Sequence, residues 1–426
     1  MASIPPKHSR LESKENDKGV DFFAQPGNHW CPWGSNSCSR RLAVSGQGTV
    51  EIMLRKAIPF QLYLSNKEDP QDRNAYKIFL FVDAVETKIG VSDKVFDSSK
   101  LTQHILQSED EKWHTYWLSL FKDTRNVKYG IGEVRAAFTI FNVFLPDNEI
   151  NQMKEVCYLH VQMGQNDRML KDLNSIKDEV RFYTGKEPIV YDPAIFVVPQ
   201  DKYSIELQSA IPPSKLERPC RDLYDGIINF RLNTHDFPDF VQAIEHSVKN
   251  PNGWCHQKLL EKANRFGRPN PQATYLRITY GKRTGTSPGH AYVIEIWPPG
   301  HYSPIHNHSN AYGIIRVLSG RLLVKIYPQL TLNASQYSPI EQILEEGQVT
   351  WMLPKLNQTH QVRNPDLYGN CAISIQCYQY GEDDQLHYEY FDYISNDGLS
   401  IAHFDPKSDM DYDQFKQLIK QESNKR

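Results

Sequence analysis

The sequence predicts a mainly β protein in two units, a separate β-sandwich-like domain followed by a β-barrel with a short helical lead. Three observations predict it. Aromatic residues are 12% of the 426 residues, with 23 Tyr and 19 Phe, a bias that suits pleated, half-buried surfaces. Short alternating apolar runs, broken by turn residues, recur from about Phe22 to Pro199 and again from about Tyr275. Between the two series lies a stretch of helical periodicity.

The elements follow in chain order. Residues 1–20 are charged, rich in Ser and Lys and poor in apolar residues, and are expected to be disordered. Residues 21–205 form the β-rich domain. Its strands are expected at Gly48–Leu54, Pro59–Leu64, Tyr76–Val82, Trp113–Leu120 and Val134–Phe144. Lys128–Glu133 is expected as a loop; its Gly130-Ile-Gly132 sits between strands, opens no helix and is no dinucleotide loop. A Pro-rich stretch, Ile211–Pro219, reads as a linker within 206–220. Helices are expected at Phe237–Ile244, with Thr234 or Asp236 as cap, and at Trp254–Phe266. The barrel would run from about Tyr275 to Asp392 inside a domain of 221–400. Residues 401–426 read as a charged tail with one amphipathic helix at 411–422.

Composition excludes several classes. A formal net charge of −3 gives no electrostatic reason to expect nucleic acid or a membrane surface as partner. No apolar run approaches the length of a membrane span, and Met1–Lys18 lacks the apolar core of a signal peptide, so a cytoplasmic location is expected. Seven scattered cysteines without C-x-x-C argue against a disulfide framework and a zinc ribbon. Cys371 and Cys377 fall in a predicted core strand, where Cys acts as a small hydrophobe. G-x-S-x-G, H-E-x-x-H and the P-loop are absent.

The chemistry concentrates in Gly300-His-Tyr-Ser-Pro-Ile-His306-Asn-His308, followed by Gly313 and Gly320. Histidines at i and i+2 of a strand face the same side, and neutral imidazole is a common ligand of Fe, Zn, Cu and Ni. The runs Ala291–Trp297 and Ile314–Leu318 flank the pair as strands. Downstream come Gly347, Pro354, His360 and Asn364. His301 neighbours a turn and is read as structural or supporting. Glu295 is read as an outward-facing strand residue in preference to a carboxylate inside the barrel. Tyr292 and Trp297 would line the pocket or the core, and Trp351 the core. His290, His387 and His403 have no partner that the sequence names.

Together these segments read G-x5-H-x-H and G-x6-P-x5-H-x3-N, which resembles the two-motif signature of the cupin superfamily. The usual Glu after the histidine pair is missing. A site of His306, His308 and His360 without a carboxylate is similar to that of the cysteine dioxygenase family, over about residues 220–395. The resemblance implies a cupin-type β-barrel holding Fe(II), and a reaction that adds O2 to the sulfur of a small thiol, cysteine or a mercapto-acid, giving a sulfinate. Gly313 stands where many members carry a Cys crosslinked to a Tyr, so the crosslink is not expected. Tyr378 matches that Tyr, with Ser374 and Gln376 behind it where the family often has Ser and His. Tyr275-Leu-Arg277 matches the segment whose Arg holds the substrate carboxylate; Lys282 and Arg283 are rivals. Three imidazoles also tolerate Zn or Ni. Alternatives are a metal cupin of another class, another dioxygenase or an isomerase, and a non-catalytic cupin. Trp113, Trp117 and the Lys128–Glu133 segment resemble small lectin-like sandwiches, so a ligand or protein partner is expected for the first domain.

Overall fold

The computed structural model describes residues 40–69, 72–108, 112–164, 179–189, 192–199, 210–280, 292–381, 390–404 and 407–424. Residues 1–20, Cys31, Cys38, Lys282, Arg283, His290 and His387 lie outside the described residues.

The chain is mainly β. In the first half two antiparallel sheets face each other. One is ordered Arg40–Arg41, Tyr158–Met163, Phe60–Ser65, Lys77–Val82, Thr87–Val91, Lys94–Ser99; the other Val180–Gly185, Gln47–Leu54, His114–Phe121, Asn126–Ile131, Thr139–Phe144. Period-two patterning produces this. In Lys77–Val82 the residues Ile78, Leu80 and Val82 are buried and their neighbours half-buried. The inward residues of both sheets meet in one core around Val50, Ile52, Leu62, Leu80, Leu118, Tyr129 and Phe182, which provides the hydrophobic drive for this half.

Two expectations in this half are corrected. Lys128–Ile131 is strand, not loop, because Asn126–Ile131 pairs with His114–Phe121. Gly130 is needed there, since a Cβ would lie 2.1 Å from Cζ2 of Trp117, its cross-strand neighbour. The expected strand Val134–Phe144 begins only at Thr139, after a 3-10 turn at Ala136–Phe138. Arg135 explains the break: it is 1% exposed and donates to Asn357 of the second half, which draws the chain off the sheet.

In the second half two sheets enclose a barrel. The larger is ordered Ala210–Ile211, Phe196–Val197, Val349–Met352, Tyr312–Ser319, Ala372–Gln379, Tyr292–Trp297, Leu276–Tyr280, Met410–Asp411; the smaller Ile340–Leu344, Leu322–Tyr327, Thr359–Arg363, His306–Asn307, Phe391–Ile394, Ile401–Phe404. Strand alternation sorts the larger sheet. Ile294, Ile296, Ile373, Ile375 and Cys377 pack under helices Arg218–Ile227, Phe240–Lys249 and Tyr412–Ser423. The residues between them, Glu295, Trp297, Ser374, Gln376 and Tyr378, belong to the opposite face, toward the barrel interior. Cys371 and Cys377 are buried free thiols.

The structure extends the barrel beyond 275–392. Ala210–Ile211 adds an edge strand, and the Pro-rich stretch turns at Pro213–Lys215 and enters a helix at Arg218. Residues 401–424 are no free tail. They supply two strands and a helix whose Phe415 and Ile419 are buried. Neither Thr234 nor Asp236 caps the helix after them. The helix starts after Asp239, and Thr234 and Asp236 instead receive Lys416 at 3.0 and 3.1 Å.

Candidate metal centre

The strand His306–Asn307 is two residues long and lies between Thr359–Arg363 and Phe391–Ile394. His306 and His360 are direct cross-strand partners, so both side chains leave the sheet on one face. His308 follows where the chain turns. Ser309 and Asn310 adopt positive φ of 53° and 66°, and the Asn307 side chain accepts from the Ser309 N–H at 2.7 Å. The backbone N–H of His308 donates to Gln358 at 3.3 Å. The turn thereby brings the third imidazole onto the other two.

The three ring centroids are 4.7–4.8 Å apart, and one ligand nitrogen of each ring lies within 4.8 Å of the others. Nε2 of His308 and Nε2 of His360 are 3.0 Å apart. Two nitrogens at right angles, each about 2.1 Å from one ion, would be about 3.0 Å apart. Nδ1 of His306 faces the Pro304 carbonyl at 3.0 Å, which assigns its proton to Nδ1 and leaves Nε2 as donor to a metal. Burial holds all three rings below the ordinary histidine range, His306 at about 4, with the neighbouring imidazoles lowering His308 and His360 further. Neutral rings with converging lone pairs can hold a metal ion, and these residues fit one.

Gly313 is the cross-strand partner of Tyr378. A Cβ there would lie 2.8 Å from Cδ1 of Tyr378 and 2.9 Å from Cγ of Met352. Glycine thus admits the Tyr378 ring, which stacks on His308 at 4.6 Å and 20°. The Tyr378 hydroxyl donates to Oε1 of Gln376. Nε2 of Gln376 donates to Glu295 at 2.5 Å and to the Ser374 hydroxyl at 3.3 Å. Trp297 donates to Ser374 at 3.4 Å.

Glu295 corrects its expected outward placement. It is 3% exposed, faces the interior, and its Oε1 is 3.4 Å from Nη1 of Arg277. Burial pushes its carboxyl up to about 7 against the pull of Arg277. Burial also opposes the Arg277 charge, but Glu295 and the phenols of Tyr275 and Tyr378 outweigh it, so the guanidinium pKa is raised. Arg277 Nε is buried without a hydrogen-bond partner. Tyr275 stacks on Trp297 at 4.2 Å. These groups and His306 and His308 line a cavity of about 20 Å³, room for little more than one water molecule.

The other marked residues play different parts. His301 is tied to the Thr274 carbonyl at 2.9 Å, away from the triad. His403 pairs with Asp392 at 2.6 Å. Tyr292 packs under the helices and Trp351 is buried, donating to the Ala194 carbonyl. Asn364 is buried and donates to the carbonyls of Trp297 and Asn370.

Sequence reading missed Glu133 and Arg135. Glu133 lies in the first half, yet its Oε1 accepts from the Gln358 N–H at 2.8 Å and its own N–H donates to Pro328 at 2.8 Å. Arg135 donates to Asn357 Oδ1 at 2.9 Å, and the Asn357 backbone is hydrogen-bonded to His360. The first half therefore supports the segment that carries His360 and holds His308. Only contact between distant segments reveals this; the local sequence carries no signal of it.

No family model matches the chain. Structural neighbours are cupin-fold proteins. An oxalate oxidase in complex with the substrate analogue glycolate is 20% identical over 26% of this chain and 53% of its own, with a TM-score of 0.20. A Cupin_2 domain of an XRE family transcriptional regulator from Enterobacter cloacae is 18% identical over 26% of this chain and 100% of its own, TM-score 0.20. The Schizosaccharomyces pombe Cnp3 cupin domain is 10% identical over 25% of this chain and 65% of its own, TM-score 0.20. The chain thus spans about half the length of that oxalate oxidase.

Proposed function

We propose that this protein is a thiol dioxygenase that holds Fe(II) on His306, His308 and His360 and converts a small thiol to a sulfinate. The supporting observation is a donor set of three imidazoles, His306, His308 and His360, with no carboxylate among them, next to the buried Arg277–Glu295 pair. In the overall reaction R–SH and O2 give R–SO2H: both oxygen atoms enter the product, sulfur is oxidised by four electrons and no outside reductant is needed. Iron, when bound, supplies open positions for a thiolate and for O2.

The chain's own groups do the rest. Tyr378, held by Gln376 and stacked on His308, presents a phenol whose pKa burial raises well above the ordinary value. It stays protonated, and with its proton on Gln376 its oxygen can accept a hydrogen bond in the cavity rather than bring a charge. Arg277 and Glu295 make the cavity neutral as a pair. A zwitterionic amino thiol such as cysteine matches that pair in charge, its carboxylate with Arg277 and its ammonium with Glu295, and its entry requires the pair to part and the cavity of about 20 Å³ to widen. A mercapto-acid meets Glu295 as a like charge unless the carboxyl is protonated. Trp297, Tyr275 and Phe391 exclude water.

The test is metal content of the protein as isolated, followed by thiol-dependent O2 consumption and product mass after anaerobic Fe(II) loading. A thiol gaining two oxygens supports the reading. A loaded protein that oxidises no thiol in a panel of cysteine, cysteamine and mercapto-acids sinks it.

A second reading rests on Glu295. A carboxyl held at about 7 inside a metal cavity is poised for proton transfer, which suits an isomerase or another class of metal cupin. Substrate isomerisation without O2 uptake would favour it.

A further inference from the structure

We propose that the cleft between the two halves is a second binding site, for a small polyhydroxylated organic oxyanion, a sugar carboxylate or a sugar phosphate. The cleft encloses about 650 Å³, within the range of small-molecule sites, whereas the inner cavity has about 20 Å³. Both halves build it. Strands Gln47–Leu54 and Val180–Gly185 of the first half form one wall; the Asn307–Asn310 turn, Lys355 and the Gln358–Thr359 segment form the other.

Charge selects an anion. Four cationic side chains, Arg55, Lys112, Arg181 and Lys355, face three carboxylates, Glu51, Glu133 and Asp392. Each carboxylate is engaged. Asp392 takes Lys112 at 2.5 Å and His403 at 2.6 Å. Glu51 faces Lys355 at 3.8 Å. Glu133 accepts from the Gln358 backbone and from Arg135. Arg181 stacks on Trp113 at 4.5 Å, and no carboxylate pairs with it among the described residues. A guanidinium held over an indole by a cation–π contact still has N–H donors for a carboxylate or phosphate. The Trp113 stack therefore preorganises Arg181 before any ligand arrives.

The opposite wall selects hydroxyl groups. Asn307 and Thr359 bond each other at 3.2 Å, and among the residues lining the cleft Nε2 of Gln329 and Oε1 of Gln358 are buried without a hydrogen-bond partner; a neutral donor and a neutral acceptor suit a polyol better than a second charge. Asn307 and Thr359 alternate along their strands with His306, His308 and His360, so the cleft lies on the reverse face of the strands that bear the candidate metal ligands.

Isothermal titration of the full chain with glucuronate and with glucose 6-phosphate tests the site, with glucose as the neutral control. At least one oxyanion is expected to bind in equimolar amount with Kd below about 1 mM, and glucose at least about tenfold more weakly. The preferred oxyanion identifies the source, carboxylate or phosphate ester. Arg181→Gln is expected to weaken that binding at least about tenfold while metal content on the His triad stays at the wild-type level. If Arg181→Gln melts below the assay temperature, Lys355→Gln on the facing wall serves the same purpose. Binding of neither oxyanion below about 1 mM, glucose binding within about tenfold of the preferred oxyanion, or a loss of less than about tenfold in the folded variant overturns the proposal. None of these readouts uses thiol turnover, so the site stands or falls independently of the reaction proposed for the barrel.

Discussion

Arg277 and Glu295 sit opposite each other on neighbouring strands, with Nη1 and Oε1 3.4 Å apart and both side chains almost wholly buried. Breaking a buried pair from one side leaves a charge without compensation. At pH 8, where Glu295 is ionised, Arg277→Met and Glu295→Leu are each expected to cost about 3 kcal/mol in urea unfolding, and the double variant should cost less than the sum of the two single changes. Additive costs in that double-mutant cycle would show that the two groups do not act as a pair.

Acid acts on the barrel's titratable groups in opposite senses. The imidazoles have lowered pKa values, so the stability gained by keeping them neutral is present above about 6.5 and lost as pH falls, through about 4 for His306. Glu295 is raised from 4.5 to about 7, so the stability of its protonated form is present below about 4.5 and lost as pH rises through about 7. Urea melts of metal-free wild type and Glu295→Gln at pH 5 and pH 8 separate the two effects. Wild type should gain stability relative to the variant on going from pH 8 to pH 5. A pH-independent difference rules this account out.

The same carboxyl predicts a substrate dependence on pH. Protonating Glu295 removes the like charge that a mercapto-acid meets and the partner of the cysteine ammonium, so as pH drops from 8 to 6 KM should fall for a mercapto-acid and rise for cysteine. Steady-state O2 uptake with both thiols measures it, and parallel KM profiles would refute it.

Replacing Gly313 by Ala places a Cβ within 2.8 Å of the Tyr378 ring and 2.9 Å of Met352. Overpacking of this kind costs about 1–3 kcal/mol, and it should push Tyr378 off His308. Differential scanning calorimetry should show a lower Tm, and a Co(II)-loaded sample an altered visible spectrum. An unchanged Tm would mean that Met352 and Tyr378 yield without strain.

Glu133 holds the Gln358 backbone, and Gln358 in turn accepts from the His308 N–H. Outer partners of metal ligands typically influence affinity by about 10–100-fold. Glu133→Ala should weaken metal binding in this range, and Glu133→Gln, which retains an acceptor, should recover much of it. Equal affinities for wild type and Glu133→Ala would confine Glu133 to joining the two halves.

Local pattern was enough to place most strands of the first half. Ile78, Leu80 and Val82 alternate because one face is buried, and that signal lies within six residues. The H-x-H pair and His360 were legible for a similar reason: spacing on a strand decides which side chains share a face, and pairing His306 with His360 brings them together. Glu295 was misread because the alternation of Ala291–Trp297 marks two faces without saying which one is interior; helices pack on the isoleucine face, leaving Glu295 inside. Gly130 looked like a turn residue, and only the Trp117 ring beside it explains a glycine within a strand. Glu133 and Arg135 were invisible because their partners, Gln358 and Asn357, are more than two hundred positions away.

The strand His306–Asn307 works as a party wall. His306 is a candidate ligand in one chamber, and Asn307 lines the other. With one residue for each side and no spare length between them, neither chamber can be remodelled alone. Mutational data on either one will carry the imprint of both, and only paired substitutions across the wall can separate their contributions.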